Sequence, residues 1–235
     1  MANLLDAKSI IGVCRIRITP RNNECEFVAG TNAYVFDAPL ELSWTVNRED
    51  GVEINNKRLS NVACAPIRLP GYDKSIEITG KFCDFCSIAF ADFFSWNAYL
   101  NAGATDTVAI GRPLGTGAAA DLCSTTGFKK FSMEVFTPVK QTSGICSDAT
   151  TQNIRVTLPL IIDPYVGDVT FANDDTTNFT FTATGLGDNG TYLNGPFNDF
   201  SGVNVIAGDG EIWEALPDNF VLPTASCTPV PVPVQ

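Results

Sequence analysis

The chain contains no histidine. That removes the side chain that usually acts as general base near neutral pH. Ser-His-Asp and Cys-His nucleophilic arrangements and imidazole-based metal sites go with it. Lysine and arginine vanish too over the last 80 residues, where Val156–Gln235 holds ten carboxylates and no base. Such a segment cannot grip a phosphate backbone, because phosphate contacts come mainly from Lys and Arg. It repels polyanions at short range and attracts cations or basic partners. No apolar run approaches a membrane-spanning length, so no membrane partner is expected. Met1-Ala2-Asn3-Leu4-Leu5-Asp6 carries an acid where a signal peptide has its basic start, and Ile10-Ile11-Gly12-Val13-Cys14 runs straight into Arg15. The expectation is a protein made and used without export, its eight cysteines (positions 14, 25, 64, 83, 86, 123, 146 and 227) mostly reduced.

What is present points to sheet. Of 235 residues, 45% are apolar, enough for a packed core, and 16 are Phe set among short runs of Val, Ile and Thr. Nineteen Gly and 14 Pro make turns frequent. Nearly all of the net charge of −11 sits in the last third, because residues 1–155 carry 16 acids against 15 bases.

Residues 1–12 read as an arm. Cys14, Ile16 and Ile18 alternate with Arg15, Arg17 and Thr19, a strand with one wet face; residues 20–33 read as a polar loop. Over 39–47, Leu40, Leu42, Trp44 and Val46 alternate with Glu41, Ser43, Thr45 and Asn47, a strand of period two. A charged insertion follows, and its length suggests a task. Residues 62–69 and 74–82 are expected to pair as a hairpin about Pro70-Gly71. Over 85–100 the period changes: Cys86, Ala89, Phe90, Phe93, Phe94 and Leu100 fall at helical spacing behind Asp84 as N-cap. Residues 101–127, rich in Gly, Ala and Thr, read as a loop. Strands are expected at 128–137, 153–162, 166–172 and 177–184, with Asp163-Pro164 ending the second and Asn173-Asp174-Asp175 turning between the last two. A short strand fits 203–207. The Pro-rich end, with Pro217, Pro223, Pro229, Pro231 and Pro233, reads as a polyproline-like arm.

Motifs that carry chemistry are weak. Cys83-Asp84-Phe85-Cys86 has thioredoxin-like spacing, but no βαβ framework surrounds it and Asp84 opposes a thiolate. A zinc site from this pair and two of Cys64, Cys123 and Cys146 lacks a second CxxC. Asp174-Asp175, Asp188-Asn189-Gly190 and Asp209-Gly210-Glu211 lack EF-hand spacing and read as turns. No catalytic residue, metal site or cofactor is assigned.

The order of segments carries a resemblance. A strand leads through Glu49-Asp50-Gly51 to Val62-Ala63-Cys64, then to Ile76-Glu77-Ile78-Thr79-Gly80-Lys81-Phe82-Cys83 and an aromatic helix. Phe131-Ser132-Met133-Glu134-Val135 and Ile154-Arg155-Val156-Thr157-Leu158-Pro159 follow. Phe171-Ala172-Asn173-Asp174, Phe179-Thr180-Phe181-Thr182-Ala183-Thr184-Gly185 and Gly195-Pro196-Phe197-Asn198-Asp199 complete the series. Over roughly 35–200 this resembles the major tail tube proteins of long-tailed (siphovirus-type) bacteriophages, especially those infecting actinobacteria.

The resemblance implies a mainly β subunit: a β-sandwich or half-barrel of antiparallel strands with one flanking α-helix, a long inter-strand loop and extended terminal arms. Six copies would join their sheets into a ring, and rings would stack into a tube that passes genomic DNA at ejection without specific binding. Other tail proteins would meet the tube ends. The protein would reside in the virion tail after assembly in the host cytoplasm. On this reading 13–214 is one domain containing a stacking loop at 48–61 and the 101–127 loop, flanked by arms at 1–12 and 215–235. Arg48, Glu49, Asp50, Glu53, Lys57 and Arg58, of both signs, suit docking between rings. Glu41, Ser43, Thr45, Glu77 and Thr79 are expected to face the lumen, with Lys81 on that face tempering its negativity. The alternative is a carbohydrate- or calcium-binding β-sandwich module, virion-borne or extracellular, with Trp44, Trp96 or Trp213 as a sugar platform. A third is a glycosidase with paired carboxylates, for which no pair can be chosen.

Overall fold

The computed structural model describes residues 12–22, 25–51, 53–54, 67–68, 70–82, 86, 89, 93–94, 97–100, 107–111, 129–138, 153–170, 178–188, 192, 195–197, 199, 206–217 and 219–233. Thirteen strands follow one another: β1 (Arg15–Arg21), β2 (Asn32–Asp37), β3 (Glu41–Glu49), β4 (Glu53–Ile54), β5 (Ile67–Arg68), β6 (Tyr72–Phe82), β7 (Asn97–Leu100), β8 (Thr107–Gly111), β9 (Lys130–Pro138), β10 (Asn153–Thr170), β11 (Asn178–Leu186), β12 (Ile212–Ala215) and β13 (Ser226–Pro231). Nine form one antiparallel sheet in the order β13-β2-β1-β9-β10-β11-β6-β3, with β12 beside β10. The chain is mainly β, as its composition predicts. Among the described residues no helix is long and apolar enough to cross a membrane.

The sheet turns one face inward. Ile16 and Ile18 of β1, Phe131, Met133 and Val135 of β9, Ile154, Val156 and Leu158 of β10, Phe181 and Ala183 of β11, and Ile76 and Ile78 of β6 share one buried cluster. Period-two alternation places each set on a single face. The sheet curls around this cluster. Phe36 on β2 meets Phe82 on β6 with ring centroids 5.7 Å apart, although four strands separate them in the sheet order. Phe93, with Cys86 and Ala89, packs over the concave side, its ring 5.1 Å from Tyr34 and 5.7 Å from Phe131.

Several expectations need correcting. β6 pairs with β3, and the described part of 62–69, β5, does not pair with it. The register sets Leu42, Trp44 and Val46 opposite Gly80, Ile78 and Ile76, so Leu42 and Trp44 pack half-buried against the core beside Ile76 and Ile78, while Val46 stays exposed. β5 instead pairs with β4 inside the insertion. The helix does not extend to Leu100: Ala89, Phe93 and Phe94 are helical, but Asn97–Leu100 is β7, hydrogen-bonded to β8 within the segment read as a loop. Most of 83–96 lies outside the described residues. Asp163-Pro164 does not end its strand. β10 continues to Thr170 through a register shift between Ile162 and Tyr165, with Asp163 at φ 51°. Neither residue has a partner on β11, so the proline interrupts no ladder bond. β2, assigned in part to a loop, and β12 were not foreseen. Of 203–207, Ile206 and Ala207 are not strand, and 203–205 lie outside the described residues. Cys14 is disulfide-bonded, an exception to the expectation of mostly reduced cysteines, whereas Cys25, Cys86 and Cys227 are thiols.

One close approach fixes the β6–β11 register. A Cβ on Gly80 would lie 2.1 Å from Cε1 of Phe181. Gly80→Ala is therefore expected to destabilise the fold by about 1–3 kcal/mol, read as a lower urea midpoint with an unchanged m-value.

Candidate functional site

The outer face of the sheet divides into a covered half and a bare half. On β1, β9, β10 and β12 the outward residues Arg17, Thr19, Arg21, Ser132, Glu134, Asn153, Arg155, Thr157 and Glu214 are all buried. The face of β1 expected to be wet is therefore dry at Arg17 and Thr19, while Arg15 stays partly exposed beside Asp37. Residues from the 187–199 segment and from 216–222 contribute to the cover.

The register builds an ionic network there. Arg17 stands opposite Glu134, and Arg155 opposite Glu214. Arg17 donates from Nε to Glu134 Oε2 at 2.5 Å and from Nη2 to Glu134 Oε1 at 2.9 Å and Asp199 Oδ2 at 2.8 Å. Arg155 donates from Nη1 to Glu134 Oε1 at 3.1 Å and Asp199 Oδ1 at 2.8 Å, and from Nη2 to Glu214 Oε2 at 2.5 Å. Two guanidiniums thus face three carboxylates. The Phe197 ring lies 4.2 Å from Cζ of Arg17. A second pair joins Arg21 Nη1 to Asp188 Oδ1 at 3.1 Å, and the same Nη1 reaches the Pro159 carbonyl. Asp188 also accepts from the Tyr192 amide. Between the clusters, the buried hydroxyls of Thr19, Ser132 and Thr157 have no hydrogen-bond partner among the described residues.

Burial opposes the charges on Arg17 and Arg155, but Glu134 and Asp199 outweigh it and both guanidiniums hold their protons more tightly than free arginine. Burial also pushes the Asp199 carboxyl up, yet Arg17 and Arg155 together hold it below its ordinary value. For Glu214 burial prevails over Arg155, and its carboxyl is raised. Tyr192 is raised well above its ordinary value by burial and by Glu134.

The bare half comprises the far end of β10 with β11, β6 and β3. Tyr165, Thr182, Thr79 and Ser43 form one row across the four strands; Thr184, Glu77 and Thr45 form the next, and Thr180, Lys81 and Glu41 a third. Glu41, Ser43, Thr45, Glu77 and Thr79, expected to face a lumen, are all exposed on this one surface. The three rows carry Glu41 and Glu77 against Lys81, and Asp163 and Asp168 on the far end of β10 are exposed as well. β3 forms the margin and pairs only with β6 among the described residues.

The residues assigned to stacking are partly brought together. Arg48 and Glu49 are exposed at the end of β3, where Glu49 accepts Lys74 Nζ at 3.2 Å, and Asp50 follows them. Glu53 opens β4. Lys57 and Arg58 lie outside the described residues. Beside this corner is an open cleft of about 260 Å³ lined by Asp73, Lys74, Asp209 and Glu211 among others. Glu211 accepts the indole N–H of exposed Trp213 at 2.6 Å. Trp44 is half-buried against the core, and Trp96 lies outside the described residues. Among the described residues no group of three or more Cys, Asp and Glu could hold a metal; Asp188 is committed to Arg21, and Asp209 caps the Ile206 amide.

Sequence reasoning missed the ionic network entirely. Its one signal was that Arg17, Glu134 and Arg155 each sit between two apolar residues within a strand. No family model matches the chain, and no curated protein matches it.

Removing one network cation leaves carboxylates buried without compensation. Arg155→Met is expected to cost about 3–5 kcal/mol in urea unfolding. The network also sets an acid limit. Asp199, depressed in the folded chain, contributes stability that is present above the ordinary carboxylate range near pH 4 and lost as pH falls through its folded value. Glu214, raised, works the other way, and its contribution falls as pH rises through its folded value. Urea midpoints measured against pH should rise slightly on mild acidification and drop below the ordinary range. Asp199→Asn should flatten the drop, and Glu214→Gln should remove the rise.

Proposed function

We propose that the chain is a structural, non-enzymatic virion protein that polymerises as stacked hexameric rings to form a phage tail tube. The subunit would be a half-barrel with one flanking helix. The observation that carries this reading is the pairing of an open sheet margin with a bare face. β3 is nine residues long and contains no proline, and an unpaired strand of that kind is a template for another chain. Joining subunits through sheet margins would bury the row of free N–H and C=O groups and extend the bare face around a bore. A hydroxyl-rich face with more acids than bases would let DNA slide, because cation-rich walls would adsorb phosphates. Arg48, Glu49 and Asp50 stand at one end of this face, which suits contact between successive rings.

Negative-stain micrographs of the purified chain should show rings or tubes; a monomer at millimolar concentration would overturn the reading. A second measurement tests the bore. Thr45→Lys with Thr79→Lys should leave tube formation intact and produce salt-sensitive DNA retention where the parent tube shows none, with log affinity falling linearly in log salt.

One observation favours a second reading, a glycan-binding module. Trp213 is 41% exposed, and its indole is oriented by Glu211 at the rim of the cleft, and an exposed indole of that kind offers an apolar face with a polar handle. Retention of the monomer on sugar resin, lost in Trp213→Ala, would support it.

A further inference from the structure

The sheet has two terminal strands, and they differ chemically. β3 has an N–H at every position. β13 lies in the run Thr228-Pro229-Val230-Pro231-Val232-Pro233, where every second residue lacks one. The read-out as a polyproline-like arm does not fit this period, since polyproline has three residues per turn and a strand has two. In the structure the run is a strand against β2.

The parity of that strand is fixed by hydrogen bonds. The Val232 amide donates to the Thr31 carbonyl at 2.8 Å, and the Val232 carbonyl accepts from Gly30 at 2.9 Å. Val230 stands opposite Ala33. Val230 and Val232 therefore turn their polar groups toward β2, and Pro231 and Pro233 turn theirs away. From Val230 to Pro233 the outer margin offers carbonyls without donors, so a strand added along that stretch could form only half a ladder. Prolines confined to the outward positions blunt an edge.

The same strand is lightly held. Five of its six residues are exposed, and its register slips between Ser226 and Val230. Its firm anchors lie at its ends: Val232 is buried, and Leu216 and Leu222 pack on Cys14 and Phe136 before the arm begins. Beneath it, β2 is an ordinary strand with no proline.

We infer that β13 is a removable edge guard. In the lone chain it covers β2 and blocks head-to-tail polymerisation, and on assembly it yields β2 to β3 of a second copy. This rests on the assembly reading and adds to it a specific acceptor strand and a control step.

Three forms test it, each checked for native circular dichroism: the full chain, a truncation ending at Leu222, and an Asn32→Cys/Pro231→Cys chain whose opposed positions lock the arm when oxidised by a disulfide reagent such as oxidised glutathione. Light scattering after size exclusion should show the truncation assembling at about tenfold lower concentration than the full chain, a shift of about 1.4 kcal/mol. A synthetic peptide of residues 223–235 should reverse this. The oxidised locked chain should stay monomeric and assemble on reduction. A natively folded truncation no more prone to assemble than the full chain would overturn the guard. Tubes from the oxidised locked chain would overturn displacement but leave the tail-tube reading intact. Irregular aggregates from the truncation, reversed by the peptide, would keep the guard and remove the rings.

Discussion

The fold depends on a buried set of charges that can exist only if all its members arrive together. Arg17, Glu134 and Arg155 come from three adjacent strands, Glu214 from β12, and Asp199 from the segment laid across them. Any one of these groups alone in that interior would be prohibitive, since desolvating a single ion costs several kcal/mol even after relaxation. The guanidinium geometry makes the set workable. A planar fork with five donors can satisfy two or three carboxylates at once, which lysine could not do. The network therefore specifies one register for β1–β9–β10 and one docking position for Asp199, beyond what a layer of interchangeable aliphatic residues would specify.

This commitment explains how the two halves of the outer face come to differ. The half that carries the arginines must be sealed, and chain from 187 onward contributes to the seal. The other half has threonine, serine and a few charges outward, needs no cover, and stays in contact with solvent. The cover in turn delivers the chain to β12, and from there residues 216–225 lead to β2 at the other end of the sheet, where β13 ends the order. One margin is closed by prolines while the other stays open. Functional asymmetry in the proposed assembly follows from where the buried charges lie.

Much of the fold was legible. β1, β3, β6, β9 and β11 lie close to where period-two alternation placed them, and the five polar residues picked from β3 and β6 do share one exposed surface. Alternation reports which face a residue joins, because side chains on a strand must alternate. It does not report which strands are neighbours. Residues 62–69 stood nearest to β6 in sequence, yet β3 won the pairing across a long insertion because its apolar set matched. Periodicity also failed where two signals coincided: Leu100 fit a helical stripe, but it pairs with β8 as part of a strand. Asp163-Pro164 resembled a stop, and a bulge absorbed it. Arg17 resembled a wet position, and the cover that buries it comes from far along the chain.

The one-sided charge distribution shows where the two kinds of information divide. By itself the sequence determined that the last 80 residues carry ten acids and no base, that histidine-based chemistry is excluded, and that the chain is built mainly of strands. These are properties of composition and local spacing, and folding cannot change them. Only the tertiary structure decided that Asp188, Asp199 and Glu214 are counter-ions to Arg21, Arg17 and Arg155. It likewise decided that the alternating prolines point away from β2. Both outcomes depend on which segments become neighbours. Neighbours are chosen by the burial of matched faces and the joint satisfaction of buried charges, a sum over the whole chain that no local stretch contains.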